Sequence, residues 1–80
     1  MDPHEIAELI KQKLVDSDVD VRTDGQGHYL AVVVSSAFEG KRTLVRHQMV
    51  YGALGSLVGN EIHALQLKTL TPEESRPAES

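Results

Sequence analysis

The stretch Phe38–His63, FEGKRTLVRHQMVYGALGSLVGNEIH, decides the fold. It reads as a glycine-punctuated turn, one long helical pattern, a helix stop at Gly59-Asn60, and a histidine that opens a strand. At about 100° per residue, Val50, Leu54, Leu57 and Val58 share one helix face, the stripe expected to meet the core. Arg46 and His47 lie on or beside that stripe. Val45 and Met49 fall on the far side, where a small domain is expected to be polar, so they require either more core or a partner. Lys41, Arg42 and Arg46 crowd the first turns, although a helix dipole favours acids there. An anion or an acidic partner would account for both features.

Upstream, Asp2-Pro3-His4-Glu5 is a helix start: Asp2 caps, Pro3 suits the first helical position, and Glu5 is placed to complete a capping box. Ile6, Leu9, Ile10 and Leu14 then repeat at helical spacing over about residues 3–14. His4 falls in the first turn as a surface residue. Val19 and Val21 alternate with Asp18, Asp20 and Arg22 as in a half-buried strand. Asp24-Gly25-Gln26-Gly27 is a turn, and His28–Ser35 is apolar on both faces, which predicts the central strand. The two strands read as an antiparallel hairpin.

Downstream, Ile62–Lys68 is a third strand with His63 in phase with Leu65 and Leu67. Residues 72–80 lack periodicity and read as a flexible tail, leaving one domain over residues 1–71. The expected architecture is α+β: helix, strand, strand, helix, strand, with a three-stranded mixed sheet and helices packed on one face. A crossover helix between the second and third strands makes them parallel and right-handed. Parallel strands start at one end of a sheet, so His28 and His63 would project from the same rim. Neighbouring strands lie about 4.8 Å apart, near enough for the pair to approach a common metal.

Composition narrows the function. The chain has 80 residues, 40% of them hydrophobic and 25% charged, with a formal charge of −4, which argues against general nucleic-acid affinity. Residues 1–24 carry seven acids against three bases, whereas residues 25–72 carry four bases against two acids, so the basic patch sits at Lys41–Arg46. No apolar run nears the roughly 20 residues of a membrane helix. The opening MDPHEIAEL has no basic n-region of a secretory signal. With no cysteine, nothing suggests an oxidising compartment, and a cytoplasmic protein is expected. No serine elbow, phosphate-binding glycine loop or paired carboxylates point to an enzyme. Gly52-Ala53-Leu54-Gly55 spells the GxxG of KH loops. Its place late in the helix, with an apolar pair between the glycines, reads instead as helix packing. Mid-helix glycines cost about 1 kcal/mol each against alanine, which predicts a close approach or a bend.

Phe38-Glu39-Gly40, Arg46-His47-Gln48-Met49-Val50, Ile62-His63-Ala64-Leu65 and Thr71-Pro72-Glu73, in that order and spacing, resemble the BolA-like family, most closely its short IbaG-type branch. The resemblance covers about residues 3–74. It implies a domain related to class II KH folds, with a short helical turn before the long helix. It also implies pairing with a monothiol glutaredoxin, directly or through a shared [2Fe–2S] cluster, in iron–sulfur trafficking and iron homeostasis. Some relatives are linked to stress response and DNA binding.

On that resemblance His63 is the expected cluster ligand. A [2Fe–2S] centre takes four ligands, two of which can be histidines. A chain without cysteine cannot supply the all-thiolate set, so the glutaredoxin and glutathione would bring the sulfur. Imidazole ligation should raise the cluster's potential and make its stability pH-sensitive, because a ligating histidine must be neutral. Many relatives carry a second ligand, His or Cys, in a longer loop between the first two strands. The counterpart here, Asp24–Gly27, has neither, which leaves His28 as the nearest candidate and Asp24 behind it. Lys41, Arg42, Val45, Arg46 and Met49 form the expected partner surface, and the isolated chain is expected to be a monomer. The alternative reading is a KH-like nucleic-acid-binding regulator using Lys41, Arg42 and Arg46.

Overall fold

The computed structural model describes residues 1–76. Helix α1, Pro3–Lys13, begins where Asp2 accepts a 2.9 Å hydrogen bond from the His4 amide. Glu5 completes no capping box; its own amide bonds the Asp2 carbonyl instead. Strand β1, Ser17–Thr23, pairs antiparallel with β2, His28–Ser35, across the expected turn. After Ser35 the short 3-10 turn Ser36–Phe38 leads to α2, Thr43–Leu54. Strand β3, Ala64–Leu70, pairs in parallel with β2. The order β1-β2-β3 puts β2 in the middle, as its composition predicts.

Packing follows the strand alternation. Tyr29, Ala31, Val33 and Ser35 of β2 are buried, and they meet Ile6 and Ile10 of α1 and Val50 and Leu54 of α2 on that one face. Phe38 and Ile62, both fully buried, close the two ends of the crossover. Ser35 is satisfied inside the core, its hydroxyl donating to the Val15 carbonyl at 2.7 Å and accepting from the Ala37 amide. Apolar residues on the opposite face of β2 are less covered: Val32 and Val34 are half-buried and Leu30 is exposed.

Three expectations need correction. The long helix ends at Leu54, not at Gly59, because Gly55 adopts φ +58° and ψ −132°, a conformation side chains avoid. Leu57 and Val58 therefore reach the core from a 3-10 turn and a bridge outside the helix. The glycines of GxxG permit no close approach, since a Cβ at Gly52 or Gly55 would meet nothing within 4 Å. The third strand starts after His63 and runs on to Leu70.

The expected tail is also partly ordered. Pro72–Ser75 forms a helical turn, α3, with a full capping box: Thr71 Oγ1 accepts from the Glu74 amide while the Glu74 carboxylate accepts from the Thr71 amide at 2.8 Å. Residues 77–80 of the expected tail lie outside the described residues.

Candidate functional site at the His63 end of the sheet

The parallel pairing brings the starts of β2 and β3 to one end of the sheet, and with them the two candidate histidines. Register then separates them. His28 pairs with Ala64, so His63 is level with Gly27. Side chains alternate between faces. His28 belongs with exposed Leu30 on the open face, whereas His63 is in phase with half-buried Leu65 and Leu67. The common rim is therefore present, with His63 just ahead of β3 and one residue out of register with His28.

His63 is exposed, and its ring lies over the α-carbon of Gly27. The backbone fixes it there: the amides of His63 and Ala64 both donate to the Gly27 carbonyl, at 3.0 and 3.1 Å. Gly27 has φ +85°, and a Cβ there would collide with the imidazole, so only glycine serves this position. Sequence reading saw Gly27 as a turn residue; its second role depends on the β2–β3 register, which no local pattern discloses.

His28 is exposed too, and its Nδ1–H donates to Asp24 Oδ2 at 2.8 Å. That hydrogen bond, with help from the Gln26 amide, holds the Asp24 carboxyl below the usual carboxylate range. A carboxylate on one ring nitrogen is what metal-bound histidines usually carry, and it leaves Nε2 for another partner. An open groove of about 430 Å³, lined in part by Arg22, Asp24, His28, Leu30 and Gln66, lies on this face.

Of the expected partner surface, Lys41, Arg42 and Val45 are exposed. Arg46 is drawn into the fold, with its side chain only 12% exposed. Its Nε donates to the Lys41 carbonyl at 2.8 Å, and Nη1 donates to Glu74 Oε1 at 2.7 Å and to the Thr69 carbonyl at 3.3 Å. The guanidinium also stands 5.8 Å from the Phe38 ring centroid, within cation–π range. Met49 packs half-buried against the core. Two exposed apolar residues went unsingled in the sequence, Leu44 and Tyr51, on the flank of α2 opposite Arg46. Glu74 was missed as Arg46's partner, although Thr71-Pro72-Glu73-Glu74 spells the capping box that places it.

Among the described residues, no group of three or more His, Cys, Asp or Glu side chains is placed to hold a metal ion. A cluster would fit this donor set only with further ligands from another molecule. The same residues include no helix long and apolar enough to cross a membrane.

The order α-β-β-α-β, the mixed sheet and the histidines at one end define a small class of α+β domains. The model of the BolA-like protein family matches residues 6–74. The chain belongs to that family. It is 33% identical to the acid stress protein IbaG of Escherichia coli over 92% of this chain and 88% of that protein. It is 38% identical to the DNA-binding transcriptional regulator BolA of E. coli, over 69% of this chain and 52% of that one. The structure of a BolA homologue from Coxiella burnetii superposes with a TM-score of 0.81 at 45% identity, covering 92% of this chain and 95% of that one.

Proposed function

We propose that this protein is a non-enzymatic adaptor that pairs with a monothiol glutaredoxin and lends His63 to a [2Fe–2S] cluster passed between them. The observation that carries the reading is the exposed His63 ring, seated on Gly27 at the sheet rim in a chain with no cysteine. Such a chain offers imidazole nitrogen and must find sulfur elsewhere. When present, the cluster would supply the exchangeable iron and sulfide; the chain's own part is to present the ring and to dock the partner. Reconstitution with a monothiol glutaredoxin and glutathione tests this by visible circular dichroism. A spectrum distinct from that of the glutaredoxin alone, altered by His63→Ala more than by His28→Ala, is expected. Greater damage from His28→Ala would transfer the role to the carboxylate-supported histidine, and an unchanged glutaredoxin spectrum would refute the pairing.

A nucleic-acid-binding regulator is the second reading, supported by the name of the E. coli BolA relative and by exposed Lys41 and Arg42. With Arg46 engaged by Glu74, two phosphate contacts remain, for a log–log salt slope near −1.8 on duplex DNA at about −0.9 per contact. Absence of any gel retardation at low salt would dispose of it.

A further inference from the structure

In a parallel strand, both backbone groups of a residue point to the same side, and successive residues alternate. The Ala64 amide donates to Gly27, toward β2. The Thr69 carbonyl accepts from Arg46, away from β2. These two bonds set the parity of β3. Even-numbered residues hold the sheet together, and Leu65, Leu67 and Thr69 turn their amides and carbonyls outward. Arg46 takes the Thr69 carbonyl, but among the described residues nothing bonds the outward groups of Leu65 or Leu67.

An open edge invites another strand unless it is protected, usually by charge. Strand β1 carries Asp18, Asp20 and Arg22 in its seven residues, whereas β3 carries Lys68 alone. No residue of β3 is fully buried. Half-buried Leu65 and Leu67 border the edge on the helix side, where Met49 and Ala53 share the Arg46 flank of α2. Arg46 closes one end of this edge and His63 stands at the other, two residues or about 7 Å from Leu65.

We propose that the outer edge of β3 is a strand-addition site, onto which an extended segment of the glutaredoxin partner docks through the backbone of Leu65 and Leu67, beside His63. The proposal rests on the adaptor reading, and its occupant is chosen by continuity: a partner that brings sulfur ligands to His63 meets the outward backbone of Leu65 and Leu67 two and four residues further along the same chain. Main-chain pairing supplies affinity, and the apolar border of Leu65, Leu67 and Met49 selects side chains on the added strand.

Amide hydrogen exchange, followed by NMR on the full chain with and without a monothiol glutaredoxin and glutathione, tests it. In the free protein the Leu65 and Leu67 amides should exchange faster than those of Gln66 and Lys68, and the complex should slow them at least about tenfold. Chemical-shift changes elsewhere with those two amides unaffected would overturn the docking edge and leave the adaptor reading intact. Absence of any shift change would overturn the adaptor reading and this proposal with it. Protection already present in the free protein, with a dimer in sedimentation, would assign the edge to a second copy and overturn the proposal. Leu67→Pro removes an outward amide that the β2–β3 ladder does not use. It should weaken partner binding roughly tenfold, the worth of about one main-chain hydrogen bond. Gln12→Ala, on the exposed face of α1, which packs on β1 and α2, should leave binding unchanged.

Discussion

At the scale of single residues, one glycine and one arginine matter most. Gly27 gives His63 its seat, so Gly27→Ala meets both a positive φ and the imidazole. It should cost about 1–2 kcal/mol from the backbone alone, and should shift the His63 ring resonances in NMR more than those of His28. Equal shifts at both histidines would deny that Gly27 seats His63 specifically. Arg46 was expected at the partner surface and instead joins the α2 approach, the end of β3 and α3. Its ion pair, first, and the Thr71 amide, second, hold the Glu74 carboxyl below the ordinary carboxylate range. In the unfolded chain that carboxyl titrates normally, so the unfolded state binds the extra proton in acid. This contribution is complete above the unfolded value and is lost as the pH falls through the lower folded one. Urea unfolding of Glu74→Gln should therefore show a smaller loss of stability from neutral to acid pH than the wild type; an identical loss would show that the pair is not coupled to folding.

Among the elements, α2 shows where sequence reading stops. Its existence and its core residues Val50 and Leu54 were legible from periodicity, but its end was not, because Gly55 and Gly59 look alike in the sequence. Both have positive φ, and only the structure shows that the first one is the cap, its amide donating to the Tyr51 carbonyl. The two glycines of the GxxG should thus respond oppositely to alanine in thermal melts. Gly52→Ala, helical and facing open space, should stabilise by about 1 kcal/mol. Gly55→Ala should destabilise by about 1–3 kcal/mol. Stabilisation by both would mean that the helix continues past Leu54. The third helix was legible and overlooked: Thr71-Pro72-Glu73-Glu74 has the cap, the proline and the acid in order. Lack of apolar periodicity masked it, since four residues are too few for a period to register.

For the whole molecule, the topology was readable because the central strand is apolar on both faces and a helix separates it from the next. That gave the shared rim of His28 and His63. The register was not readable, for it is set by how Phe38, Ile62 and the two helices fill the core, and a one-residue offset reverses which face a side chain occupies. Consequently the two histidines are offset by one residue along the strand pair. They are separate candidates, one braced by Asp24 and one seated on Gly27. The central claim is that nitrogen from His63 reaches iron whose sulfur ligands belong to the partner. Pulsed EPR on the reduced cluster complex, prepared with ¹⁵N-histidine confined to this chain, tests it most directly. A ¹⁵N hyperfine coupling from a directly bound imidazole, present in the wild type and in His28→Ala and absent in His63→Ala, is predicted. A coupling that survives His63→Ala, or none in any sample, would contradict it.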